Sequence, residues 1–284
     1  MEGIVIRSIL VPIDGRQIAG GARTVARQLA RSAGTRLRFL TGREPALVAP
    51  PAYRLGADPG GGAQPALFEA EAVSASMIVE AVAADPPDLV VMFCRRPEPM
   101  GDDYFESVAL PVVRQVSAPV LLLQARGDRE VAAPGLQVRR LLLLTDFSPA
   151  SEAIVPSAIA LARTTQAHVT LLHVVDPEHG RAGPLDAQKR LDRRADGLRA
   201  SGVSAAARVL VATNPAVAIL GCLSGDRYDL LAMAASGAGG SEQTAIGRVA
   251  EQVLRGAKKP VLISSGLARR LNPSDLTSFL RGLP

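Results

Sequence analysis

Two aspartates stand where a carboxylate has chemistry open to it. Asp14 closes the apolar run Arg7-Ser-Ile-Leu-Val-Pro-Ile-Asp14, and Asp146 closes Arg139-Arg-Leu-Leu-Leu-Leu-Thr-Asp146, 132 residues later. A carboxylate at the end of a buried strand can accept hydrogen bonds from a bound ligand. It can also sit at the N-terminus of the next helix, where the helix dipole favours negative charge. For Asp14 the second role is the expected one. Cys94 lies beside Arg95 and Arg96, whose charge would lower a thiol pKa, yet an ordinary part-buried thiol is the expected state. His168, His173 and His179 are close in sequence. Residues 168 and 173 nonetheless fall on opposite faces of an alternating strand, and no cysteine or carboxylate completes a metal set. There is no Ser-His-Asp order, no nucleophile elbow and no carboxylate pair at one strand end, so the residues point to binding rather than catalysis.

The elements that position these residues occur twice. Asp88-Leu-Val-Val-Met92 returns as Asp229-Leu-Leu-Ala-Met233, and Ala118-Pro-Val-Leu-Leu-Leu123 as Lys259-Pro-Val-Leu-Ile-Ser264, both 141 residues apart. The aspartate runs are 132 apart, so the first copy lacks nine residues in its middle. A repeat this long is a whole domain. The expected organisation is a first domain over 1–130, a linker over Val131–Val138, a second domain over 137–266, and a tail over 267–284 with a short helix from Ser274. In the second copy the spacing predicts strands at Leu141–Thr145, His168–Val175, Ala207–Val211, Asp229–Met233 and Pro260–Ser264. Ser148 is the expected N-cap of the first helix, with Pro149 at its first position and Pro156 bending it. Further helices are expected over Asp186–Ala200, Pro215–Leu223 and Gly247–Gly256.

Strands alternating with helices give an α/β fold with right-handed crossovers. The expectation is two flavodoxin/Rossmann-like doubly wound domains, each with a five-stranded, mainly parallel sheet. Ligands of such sheets sit beyond the carboxyl ends of the strands, where the strand order reverses. In the first copy the third strand is expected at Ala66–Glu71. The helix before it is replaced by Pro45, Pro50, Pro51 and Gly56-Ala-Asp-Pro-Gly-Gly-Gly-Ala-Gln-Pro65, read as a mobile loop.

Composition removes several function classes. No apolar run approaches the roughly 20 residues that cross a bilayer, so no membrane role is expected. The chain enters a strand at once, without signal-peptide character, and its two cysteines form no disulfide or metal framework, which together imply a cytoplasmic protein. A pI near 9.7 hints at nucleic acid. However, residues 1–135 carry 14 basic and 15 acidic groups, against 18 and 12 in 136–284, so the excess is confined to the second copy. Aromatics are 3% of the chain, too few for a base-stacking platform, and a nucleic-acid partner is not expected. Arg23, Arg27 and Arg31 read as a solvated stripe. Lys189, Arg190, Arg193 and Arg194 are interleaved with Asp186, Asp192 and Asp196 and read as self-neutralising pairs.

Leu144-Thr-Asp-Phe-Ser148, Asp229–Met233, Val249-Ala-Glu-Gln-Val-Leu-Arg255 and Lys259-Pro-Val-Leu-Ile263 together resemble the universal stress protein family. The likeness covers nearly the whole chain twice, more specifically in the second copy. In the first it rests on Ile9-Leu-Val-Pro-Ile-Asp14 and Ser107–Leu123. Nucleotide-binding members carry a glycine, a second glycine three positions on, and a third before a hydroxyl residue that opens a helix. Small residues let backbone N–H groups approach phosphate there. The pattern falls on Ala234, Gly237, Gly247 and Arg248 in the second copy and on Phe93, Arg96, Glu106 and Ser107 in the first. Ser236, Gly239, Gly240 and Ser241 keep the second loop small. Arg248 would either clamp a phosphate or fill its place.

By resemblance, Asp146 would contact a nucleoside and Val174 or Val175 would flank its base, with Thr145, Met233 and Val249 alongside. The resemblance implies a tandem, non-catalytic stress-response protein that senses a ligand or serves as a scaffold. Its first domain would not bind ATP. The alternatives are ATP or another adenine nucleotide held by the second domain only, with weak hydrolysis, and a nucleic-acid-associated basic protein. The family also pairs through last strands, so Pro119–Leu123 and Pro260–Ser264 are expected to join the two domains as an intramolecular pseudo-dimer, hiding two sheet edges. A homodimer of whole chains stays open.

Overall fold

A computed structural model describes residues 6–13, 19–33, 35–42, 53–57, 73–95, 105–125, 136–178, 183–237 and 246–265. The chain divides into two compact units, Val5–Leu136 and Gln137 onward. No helix among the described residues is long and apolar enough to cross a membrane.

The first unit runs β1 (Ser8–Ile13), α1 (Ala19–Ala33), β2 (Arg36–Gly42), β3 (Tyr53–Ala57), α2 (Ala75–Ala84), β4 (Leu89–Arg95), a π turn over Phe105–Ala109 leading into α3 (Leu110–Gln115), and β5 (Val120–Ala125). Its strand order is β3-β2-β1-β4-β5. All six residues of β1 are buried, as a strand covered on both faces requires. Helix α1 lays Ala22, Val25, Ala26 and Leu29 against the sheet, one face of a 3.6-residue period. Arg23 and Arg27 flank that face and are half-buried, with Arg23 5.4 Å over the Phe39 ring. Of the expected solvated stripe, only Arg31 is exposed.

The second strand neighbour differs from expectation. β3 lies inside the stretch read as a mobile loop and pairs antiparallel with β2, Leu40 opposite Leu55. Only residues 43–52 separate the two strands. A parallel return needs a crossover of a dozen or more residues, so the shortened chain can return only in the antiparallel sense. The expected strand at Ala66–Glu71 lies outside the described residues, as do Asp14, His179 and the tail helix from Ser274.

The second unit keeps the full pattern: β6 (Arg140–Leu144), α4 (Pro149–Glu152), α5 (Val155–Thr165), β7 (His168–Val175), α6 (Pro184–Ala200), β8 (Ala205–Val211), α7 (Pro215–Leu223), β9 (Leu230–Ala234), α8 (Arg248–Gly256) and β10 (Val261–Ser264). Its order is β8-β7-β6-β9-β10, with every pair parallel. Pro156 acts as expected: helix stops at Glu152, turns through Ala153 and Ile154, and restarts with the proline in the first turn of α5.

The repeated Asp-Leu strand has a structural cause. Asp229 Oδ2 accepts the backbone N–H groups of Arg139 and Arg140, both at 2.9 Å. Its twin Asp88 accepts those of Arg7 and Ser8 at 2.9 and 3.0 Å. Each carboxylate pins the entry of the central strand, at the sheet edge opposite to the ligand end.

Candidate functional site

The strand order of the second unit reverses between β6 and β9, which is where such sheets hold ligands. At the end of β6 the chain turns sharply through Thr145, Asp146, Phe147 and Ser148. Asp146 Oδ1 accepts from Ser148 N at 3.0 Å, the buried Thr145 hydroxyl accepts from Phe147 N at 3.0 Å, and Ser148 Oγ caps α4 by accepting from Ser151 N at 3.1 Å. Between these brackets Phe147 sits at φ 62°, a left-handed conformation that costs a bulky residue free energy and persists only where the surroundings impose it.

Those surroundings are specific. The Phe147 ring lies 4.8 Å from the His173 ring, centroid to centroid. His173 Nδ1 is 2.8 Å from the Thr145 carbonyl, which can only accept, so Nδ1 carries the proton. Arg190 and Arg194 of α6 stand over the same ring, their Cζ atoms 4.0 and 5.1 Å from its centre. Arg194 also donates to Glu152, a buried carboxylate that receives the Thr145 hydroxyl at 3.3 Å. The expected self-neutralising pairs of α6 do not form: among the described residues none of Lys189, Arg190, Arg193 and Arg194 pairs with Asp186, Asp192 or Asp196. Arg199 pairs with Asp196 at 2.7 Å, while Arg190 and Arg194 lean on Phe147, and Arg194 is neutralised from α4. The cause is their position: they flank the buried stripe Ala187, Leu191, Ala195 and Leu198, which brings them within reach of the strand ends.

The residues expected to line the site divide into groups. Asp146 and Gly237, 91 positions apart in sequence, meet directly: a Cβ on Gly237 would stand 2.4 Å from Asp146 Oδ2. Thr145, Val175 and Met233 are buried; Val174, Ala234, Gly247 and Val249 are half-buried; Arg248 is exposed. Ala235 N donates to the Ser264 carbonyl at 2.7 Å, and Gly247 N to the Ala235 carbonyl at 2.7 Å. These two bonds tie the start of α8 to the ends of β9 and β10. Gly247 is the N-cap of α8 with φ −65° and ψ 148°. A Cβ there would find its nearest atom at 3.5 Å, so this position has room for a side chain where Gly237 has none.

The first unit differs at the corresponding place. Phe105 and Glu106, 141 positions before Ile246 and Gly247, are already inside the π turn, so the helix begins where the second unit keeps its N-cap. Phe105 is buried and Glu106 half-buried. Phe93 is half-buried, while Arg96 lies outside the described residues. Cys94 is buried, and burial pushes its thiol up to about 12, the reverse of activation. His168 lies 2.8 Å from the Ser204 hydroxyl, away from His173. Glu152, Phe147, His173, Arg190 and Arg194 were not read as site residues from sequence. The i, i+4 spacing of the two arginines beside an apolar stripe was the available signal, but which acid or ring it faced is a tertiary matter.

Residues 137–265 match the family model described as the universal stress protein family. Among solved structures, the chain is similar to a universal stress protein from Archaeoglobus fulgidus DSM 4304, at 16% identity and TM-score 0.61, covering 93% of this chain and 97% of that one. It is also similar to a functionally unknown protein from Pseudomonas aeruginosa PAO1, at 19% identity and TM-score 0.61, covering 99% and 97%. At such identities the likeness speaks for the fold. The comparison with curated proteins found no match. The universal stress protein family model thus matches the second half of this chain, and the fold of these solved structures is matched along nearly its whole length.

Proposed function

We propose that the chain is a non-catalytic stress-response protein that senses a small ligand or serves as a ligand-dependent scaffold, with the ligand confined to the second domain. The contrast between Gly247 and Glu106 carries this reading. One helix opens on an N-cap glycine with room beside it, whereas the other begins earlier and sets a carboxylate in its first turn. A phosphate approaching Glu106 meets like charge, so the first domain does not hold a nucleoside triphosphate.

A second reading, that the ligand is ATP or another adenine nucleotide, is favoured by the approach of Asp146 to Gly237, since that carboxylate is the group the resemblance assigns to the nucleoside. Thr145, Val174, Val175, Met233, Ala234, Gly247, Arg248 and Val249 would complete that site. Nucleic-acid association is disfavoured by the pairing of Arg194 with Glu152 and of Arg199 with Asp196, which removes cations from the helix that would supply the contact.

Calorimetric titration of the full chain with Mg-ATP separates these readings. One equivalent, lost on Gly237→Val, supports the nucleotide reading. No heat at submillimolar protein leaves a ligand of another class. Two equivalents per chain overturn the restriction to the second domain.

A further inference from the structure

Phe147 gathers two cations, and Glu152 pairs with one of them, Arg194. Arg190 and Arg194 are one helical turn apart and share the Phe147 ring, and like charges at that spacing repel. Glu152 balances Arg194. Among the described residues Arg190 forms no ion pair or hydrogen bond: Asp186, one turn earlier on the same exposed face, does not pair with it. A contact of Cζ with a ring face uses none of the guanidinium N–H groups as hydrogen-bond donors, and those are the groups that match two oxygens of an oxyanion. The ring is itself fixed beside the site, because Phe147 follows Asp146 and is locked in a left-handed turn. Arg190 is thus pre-oriented next to the ligand end of the sheet with those donors unspent.

We propose that Arg190 is the anion-recognising residue of the second domain, taking a phosphate-type oxyanion that is either part of the ligand at Asp146 or bound on its own. The inference rests on the reading that the second domain holds a small ligand. It deepens that reading by assigning the charged contact to α6 rather than to the loop before α8, where Ala234 and Arg248 depart from the family's phosphate pattern.

The test is calorimetric titration of the full chain with adenosine, AMP and inorganic pyrophosphate, using wild type, Arg190→Gln and Arg193→Gln. Arg193 is exposed on the same helix and outside the cluster, so its variant controls for loss of one charge. The expected result is that Arg190→Gln weakens AMP and pyrophosphate by roughly tenfold, the value of one charge-assisted contact, with adenosine unaffected and Arg193→Gln close to wild type. Pyrophosphate binding that depends on Arg190 while adenosine and AMP fail would uphold the oxyanion site as one for free phosphate and remove the nucleoside reading. Adenosine binding with no phosphate gain from Arg190 would do the opposite. Equal effects of the two variants, or no binding of AMP and pyrophosphate by wild type at millimolar concentration, overturns the proposal.

Discussion

Replacing Gly237 by alanine asks whether Asp146 is held in place by the bare backbone opposite it. The backbone at Gly237 lies outside the left-handed region, so the substitution tests space rather than conformation. The new Cβ would stand 2.4 Å from Asp146 Oδ2, where real Cβ atoms come no nearer than 3.0 Å, so the carboxylate must retreat by the difference, 0.6 Å, or more. Its other oxygen holds Ser148 N at 3.0 Å. A retreat along that bond stretches it to about 3.6 Å, beyond hydrogen-bonding range. A bond from an amide to a half-buried carboxylate contributes about 1 to 2 kcal/mol, so the turn should open roughly 5 to 30 times more often. Gly247→Ser is the control. Its backbone angles suit an N-cap, the added Cβ has ordinary room, and a serine cap should be neutral or slightly stabilising. Hydrogen exchange read by mass spectrometry on the peptide spanning 145–152, together with urea unfolding followed by circular dichroism, measures both. Exchange and unfolding unchanged in Gly237→Ala, or greater damage from Gly247→Ser, would refute the reasoning.

Two further outcomes follow from geometry elsewhere. Asp229→Ala removes the acceptor of two backbone N–H groups and should lower stability by about 2 to 3 kcal/mol, with Asp229→Asn costing less because an oxygen remains; a urea midpoint equal to wild type would contradict the clamp. The raised pKa of Cys94, from 9.0 in the unfolded chain to about 12 when buried, means the folded protein holds that proton more tightly. The stabilisation it brings is intact below pH 9 and is lost as pH rises toward about 12. Iodoacetamide at pH 8 should therefore label the less buried Cys222 first and reach Cys94 only on unfolding; prompt labelling of Cys94 in native protein would contradict its burial.

Much of the architecture was legible because the residues doing the work are local. Ser148-Pro149 is a helix start whatever surrounds it, Pro156 interrupts a helix by its own ring, and an apolar run closed by a polar residue reads as a buried strand. The first copy was legible only where the repeat held. Between Gly42 and Tyr53 too few residues remain for a helical crossover, and the chain answers with an antiparallel strand that alternating hydrophobicity did not announce. The pinning role of Asp88 and Asp229 was equally hidden, since each accepts N–H groups from a strand 80 or more positions earlier.

The candidate site divides along the same line. Sequence alone determined that a carboxylate, Asp146, ends a strand, that small residues follow β9, and that the first copy carries a glutamate where the second has a glycine. These are matters of residue type and spacing. Only the tertiary structure decided that Gly237 is the glycine with no room to spare, that Gly247 has room, and that two arginines of an outwardly ordinary surface helix share one ring. Such facts depend on distances across the sheet and between crossovers, which side-chain packing sets and no local pattern encodes.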